Sequence, residues 1–177
     1  MIGDIPSEFQ GPKNPVENVS WDDCQAFLDK LNDEFGARRG KFQLPTEAQW
    51  EYACRDGSTT RYCFGDDESR LNAYAWSAEN SGNKTHPVGE KEPNAWGLYD
   101  MHGNVWEWCQ DFYDGDYYAN SPLDDPMGPA TGPYRVLRGG GGNLAAKYCR
   151  SSYRSSFEPG YRNSRLGFRV ALVPADK

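Results

Sequence analysis

No run in this chain approaches the roughly 18 consecutive apolar residues that a membrane-spanning helix needs. The first residues, Met1 to Pro6, lack the charged-then-apolar start of a secretory leader, so no signal peptide is expected and the compartment stays open. Cysteine is sparse and odd in number: Cys24, Cys54, Cys63, Cys109 and Cys149, with no CxxC. That excludes zinc sites of the usual spacing and a complete disulfide framework, and leaves buried free thiols as the expectation. There are only two histidines. His86 precedes a proline and His102 sits in a Gly-containing turn, so both are expected to be structural. A basic surface is also missing. The formal charge is −7, and the one local basic excess lies in residues 135–169, which argues against nucleic acid as a partner. Those arginines are expected to pair with the many carboxylates. GxSxG, P-loop and dinucleotide fingerprints are absent. The run Gly139–Gly142 lacks the Lys and helix that a phosphate loop requires.

What is present fits one domain of 177 residues, with 19 Gly and 12 Pro that imply much loop and turn. Ser20 with Asp23 reads as a capping box opening a helix. Trp21, Cys24, Phe27, Leu28, Leu31 and Phe35 follow at helical spacing, and Gly36 ends the run. Thr46 with Gln49 opens a second helix that stops near Gly57. Gly97–Met101 and Val105–Trp108 read as short strands joined by a turn at His102–Asn104. Residues 114–134 form a polar excursion, and Arg135–Arg138 and Gly167–Leu172 read as further strands.

Residues 135–170 carry a frame of Gly, Arg and Cys alternating with positions that follow no core pattern. Such a pattern suits a recognition surface better than a catalytic pocket.

Several segments resemble the formylglycine-generating-enzyme (sulfatase-modifying factor) domain family. They are Pro15–Trp21, Leu44–Ala53, Gly97–Met101, Gly103–Trp108, Arg138–Gly140 and Leu166–Arg169, in the family's order. The resemblance implies an α+β fold: irregular, loop-rich and C-type-lectin-like, with two helices and a small twisted antiparallel sheet. It spans residues 1–177 as a single domain that starts late relative to family members. The family's oxidising members hold copper between two cysteines that follow the Gly-Gly motif, because soft thiolates suit Cu(I). Here Cys149 stands alone in that region, and Gly141 and Gly142 replace the usual serine and aromatic. A second thiol would have to come from Cys109 or Cys63. The iron-binding histidines of sulfoxide-synthase relatives are missing too. The expectation is therefore a non-catalytic protein that requires no cofactor.

The fold implied by the resemblance also serves the variable proteins of diversity-generating retroelements. In those systems template AAC codons become NNC codons by changes at adenine. Asn143, Leu144, Ala145, Tyr148, Tyr153, Ser155, Ser156, Phe157, Tyr161, Asn163, Ser164 and Arg165 are all reachable that way. Lys147 and Glu158, which NNC cannot encode, fall in the frame between them. These twelve positions are the candidate ligand-binding residues, with residues 135–170 as the candidate variable region. Rigid aromatics, adaptable Ser and Asn, and one Arg form a composition suited to binding. Tyr153, flanked by frame residues, is the one most expected to pack in the core. The partner would be a protein or surface ligand of unspecified identity. The competing readings are a copper-dependent oxidase acting on a sulfatase cysteine and a fixed scaffolding domain of a larger assembly.

Ca²⁺ is the one candidate ion. Enzymes of the resembled family often bind it near the Asn-x-x-Glu motif, and calcium favours carboxylate, amide and carbonyl oxygens. Asn104 and Glu107 are the expected ligands, with the Val105 carbonyl. The alternative is that Asn104 makes a turn and Glu107 pairs with an arginine.

Overall fold

Helix α1, Trp21–Leu31, begins where the sequence signals it. The Ser20 hydroxyl accepts from the Asp23 amide, and the Asp23 carboxylate accepts from the Ser20 amide. A π-helical turn over Asn32–Gly36 follows. The computed structural model describes residues 5–36 and 40–174. Strand β1 is Gly40–Gln43, and Asn32 ties α1 to it with two side-chain bonds to the backbone of Phe42. Helix α2, Glu47–Arg55, has its own capping box from Thr46 and Gln49. It stops at Asp56, whose φ of 48° leaves the helical region. A short helix α3, Leu71–Tyr74, was not expected from the sequence.

Strands β2 (Trp106–Phe112), β3 (Arg135–Arg138), β4 (Ser155–Phe157) and β5 (Leu166–Phe168) form a four-stranded sheet in the order β4-β3-β2-β5. Strand β6, Ala171–Pro174, pairs antiparallel with β1 in a separate two-stranded sheet. The main sheet is not wholly antiparallel, because β5 lies parallel to β2. The expected single strand over Gly167–Leu172 is split between the two sheets at Arg169 and Val170. The expected strand over Gly97–Met101 does not form. Gly97 and Asp100 take φ of 78° and 57°, which breaks a pleat. Val105 likewise precedes β2, after Gly103 and Asn104 at φ of 89° and 62°.

Side chains alternate across the main sheet. Trp108, Leu137 and Leu166 enter one core with Val19, Cys24 and Leu28, and Trp106 packs at its edge. Cys109 and Val136 point the other way, against Trp50 and Cys54 of α2 and Met101. A third cluster joins Tyr62, Leu71, Ala75, Ala146 and Cys149. No described helix is long and apolar enough to cross a membrane.

Candidate functional site

The frame of residues 135–170 is held from beneath. Arg138 is fully buried. Its guanidinium donates to the carbonyls of Tyr153 (2.6 Å) and Ser151 (2.8 Å) and to the Glu51 carboxylate. Arg154 grips the buried Glu47 carboxylate through two bonds of 2.7 and 2.8 Å. Arg162 does the same to Asp23, and Arg169 to Glu107. Paired forks of this kind fix direction as well as charge. Gly140 adopts φ of 80°, and a Cβ there would meet Cys149 Sγ and the Tyr148 carbonyl at 2.8 Å. Only glycine fits that position.

Above this frame the candidate residues lie open. None of the twelve is buried. The buried residues of 143–170 are Ala146, Cys149, Ser151, Leu166 and Gly167, all of the frame. Asn143, Leu144, Phe157, Tyr161, Asn163 and Arg165 line one cavity of about 160 Å³ with Trp106, Leu137 and Leu166. Phe157 and Tyr161 stack at 4.2 Å on its rim. Tyr148 and Tyr153 meet edge to face at 5.1 Å, and Tyr153 reaches Trp106 at 6.1 Å. Tyr153 is thus half-buried against other rings of this surface, not enclosed in the core. Ala145, Ser155, Ser156 and Ser164 do not line the cavity. Trp106 was missed in the sequence reading. Its motif marked it as framework, whereas it forms a wall of the site.

All five cysteines are free, and all but the half-buried Cys63 are buried. Burial pushes the Cys149 and Cys54 thiols up to about 12 and Cys63 up to about 11. His102 is buried among them. Its Nδ1–H donates to the Cys149 carbonyl at 2.8 Å, and Nε2 accepts from the Cys63 amide at 3.2 Å. Burial lowers its pKa to about 4, so it stays neutral. His86 stacks on Trp76 at 3.7 Å. Among the described residues no group of three or more His, Cys, Asp or Glu could hold a metal ion.

The two calcium candidates have protein partners. Asn104 exchanges both side-chain bonds with the His86 backbone. Glu107 accepts from Arg169 and from Trp50 Nε1 at 2.6 Å. Asp100, which the sequence reading passed over, lines a 420 Å³ cavity with Glu107. One Asp100 oxygen accepts from the Gly89 amide, and the other, Oδ1, is buried without a partner. Burial and the neighbouring Glu107 charge both raise the Asp100 pKa.

The family model of the sulfatase-modifying factor enzyme 1-like domain matches residues 3–173. The chain belongs to that family. It is 42% identical over 175 residues to a formylglycine-generating enzyme of Streptomyces coelicolor, covering 90% of this chain and 53% of that protein. It therefore spans about half the length of that curated relative. Among solved structures, variable protein 1 of Treponema denticola superposes with a TM-score of 0.91 at 36% identity, covering 98% of this chain and 79% of that one. PvdO from Pseudomonas aeruginosa superposes with a TM-score of 0.82 at 32% identity, covering 91% and 62%.

Proposed function

We infer that this chain is a non-catalytic binding domain. Its ligand is held on the surface built by residues 143–165, and that surface is diversified at the twelve candidate codons. The observation that carries the reading is the partition of burial. All twelve candidate positions are open or half-open, while the buried residues of the segment all belong to the frame. A surface diversified by mutation needs this separation, since changes at its open positions leave the core packing intact. The likeness to a variable protein supports the same reading. Deep sequencing of codons 135–170 across a population tests it. Substitutions confined to the twelve codons, at adenines of a matching template repeat, are the expected result. A uniform sequence without such a repeat would leave a fixed binding or scaffolding domain.

The likeness to formylglycine-generating enzymes favours a second reading, a copper-dependent oxidase. Titration with Cu(I) against a competing chelator separates the two. Buried thiols with raised pKa values should bind no stoichiometric copper in the folded protein. Tight one-to-one binding that disappears in Cys149→Ala would restore the oxidase.

For calcium, we propose Asp100 beside Asn104 and Glu107 as a further candidate donor, with nearby carbonyls. Hard oxygens and a buried orphan carboxylate oxygen are what the ion would satisfy. Adding Ca²⁺ after chelation should raise the melting temperature of the wild type and not of Asp100→Asn. An equal response in both would remove Asp100 as a ligand.

A further inference from the structure

Three of the seven arginines of residues 135–170, Arg135, Arg150 and Arg165, make no salt bridge among the described residues, and of these Arg165 lines the 160 Å³ cavity. Arg138, Arg154, Arg162 and Arg169 each hold a carboxylate. Arg165 has no carboxylate within salt-bridge distance among the described residues. Its guanidinium makes one bond, from Nη2 to the Asn83 carbonyl at 2.8 Å. Its Nε is shielded from water and has no partner, and Nη1 makes no bond among the described residues. The backbone at this position is fixed. The Arg165 amide donates to Asn163 Oδ1, and the Arg165 carbonyl accepts from Trp106 of β2. The side chain therefore brings an incompletely paired cation to a place set by the sheet.

That place is the wall of the 160 Å³ cavity, where the remaining surface is apolar or amide. Trp106, Leu137 and the Phe157–Tyr161 stack supply rings and aliphatic carbon. Asn143 lines the same cavity, and its side chain makes no bond among the described residues. The volume suits one inserted side chain rather than a drug-sized ligand, whose pockets run to at least about 300 Å³.

We propose that this cavity takes a single carboxylate-bearing residue of a protein ligand, with its apolar body against Trp106 and the Phe157–Tyr161 stack and its carboxylate on Arg165. The proposal rests on the binding reading above. A guanidinium edge matches a carboxylate in shape as well as charge. Low-dielectric walls strengthen that bond relative to one made in open water. An amide or amine in the same place offers Arg165 no charge-assisted bond.

The test titrates phenylacetate and phenylacetamide into isotopically labelled protein and follows the Trp106 indole and Arg165 Nε–H signals by NMR. The carboxylate should bind about tenfold more tightly than its neutral isostere, as a charge-assisted bond implies. Arg165→Gln should bring phenylacetate to the level of the amide, and Arg165→Lys should retain part of the preference. Retained signal dispersion shows that each variant is folded. N-acetyl-glutamate α-amide and N-acetyl-phenylalanine then separate a side-chain carboxylate from a chain terminus, the tighter of the two naming the source. Equal binding of acid and amide, an unchanged preference in Arg165→Gln, or no saturable shift with either probe would overturn the proposal. The codon survey is independent of these results, so the carboxylate site can fail while the diversified surface stands.

Discussion

Arg138 and Arg165 belong to the same stretch and meet opposite surroundings. Arg138 is enclosed, and its donors go to Glu51 and to the carbonyls of Ser151 and Tyr153. Arg165 stands at a cavity wall with a single carbonyl partner and an idle edge. Trp108 and Trp106 repeat the contrast on neighbouring positions of one strand face. Trp108 is fully buried and donates to the Val19 carbonyl at 3.0 Å, while Trp106 is only partly covered and reaches the cavity. The lesson is that residue type does not assign the role. The same guanidinium or indole acts as framework where carboxylates and carbonyls enclose it, and as recognition surface where a cavity opens beside it.

The sharpest way to break this contrast is to truncate the enclosed member. Arg138→Ala leaves the Glu51 carboxylate and two carbonyls without their donor. Loss of about 3–5 kcal/mol of stability is expected in chemical denaturation. A change below about 1 kcal/mol would show that Arg138 is not framework.

The buried His102 gives a smaller effect with a defined sign. Its folded pKa of about 4 lies below the ordinary 6.5, so the unfolded chain binds its proton first as pH falls. Stability from this group is therefore complete above about pH 6.5 and is lost as pH falls towards 4. The loss amounts to about 3 kcal/mol at 1.36 kcal/mol per unit. An NMR titration of the His102 ring reads the pKa directly. A midpoint near 6.5 would mean that the cluster around Cys54, Cys63 and Cys149 opens to water.

The open side should yield least. Tyr161→Ala removes the stack on Phe157 and should cost about 0.5–1.5 kcal/mol of stability. Against any protein ligand found for this surface, the same change should weaken binding by about 2 kcal/mol or more. A stability loss of about 3 kcal/mol or more would place Tyr161 in the core and move the boundary between the two regions.

The legible parts of the molecule were those set by neighbours in the chain. The capping boxes of Ser20 with Asp23 and Thr46 with Gln49 close over three residues, so spacing alone revealed both helix starts. That the twelve candidate positions of 143–165 escape the core was also readable, although the frame residues Lys147, Ser152, Glu158, Gly160 and Arg162 are exposed as well. Asp100 was not, since it becomes a calcium candidate only once β2 and the Gly89 turn bring its orphan oxygen near Glu107. The Asn104 amide likewise closes on the His86 backbone, 18 residues away in sequence, a partner that no local pattern announces.

By itself, then, the sequence determined the family, the α+β class and the two principal helices. It could do so because caps, turns and apolar periods act over a few residues. Tertiary structure alone decided that β5 lies parallel to β2, that Trp106 walls the cavity, and which arginines find carboxylates. Arg154 and Glu47 are 107 positions apart, as bonds joined by the fold can be. Nothing in the residues near either one specifies such a partner, because the pairing is fixed only when the sheet and α2 pack together.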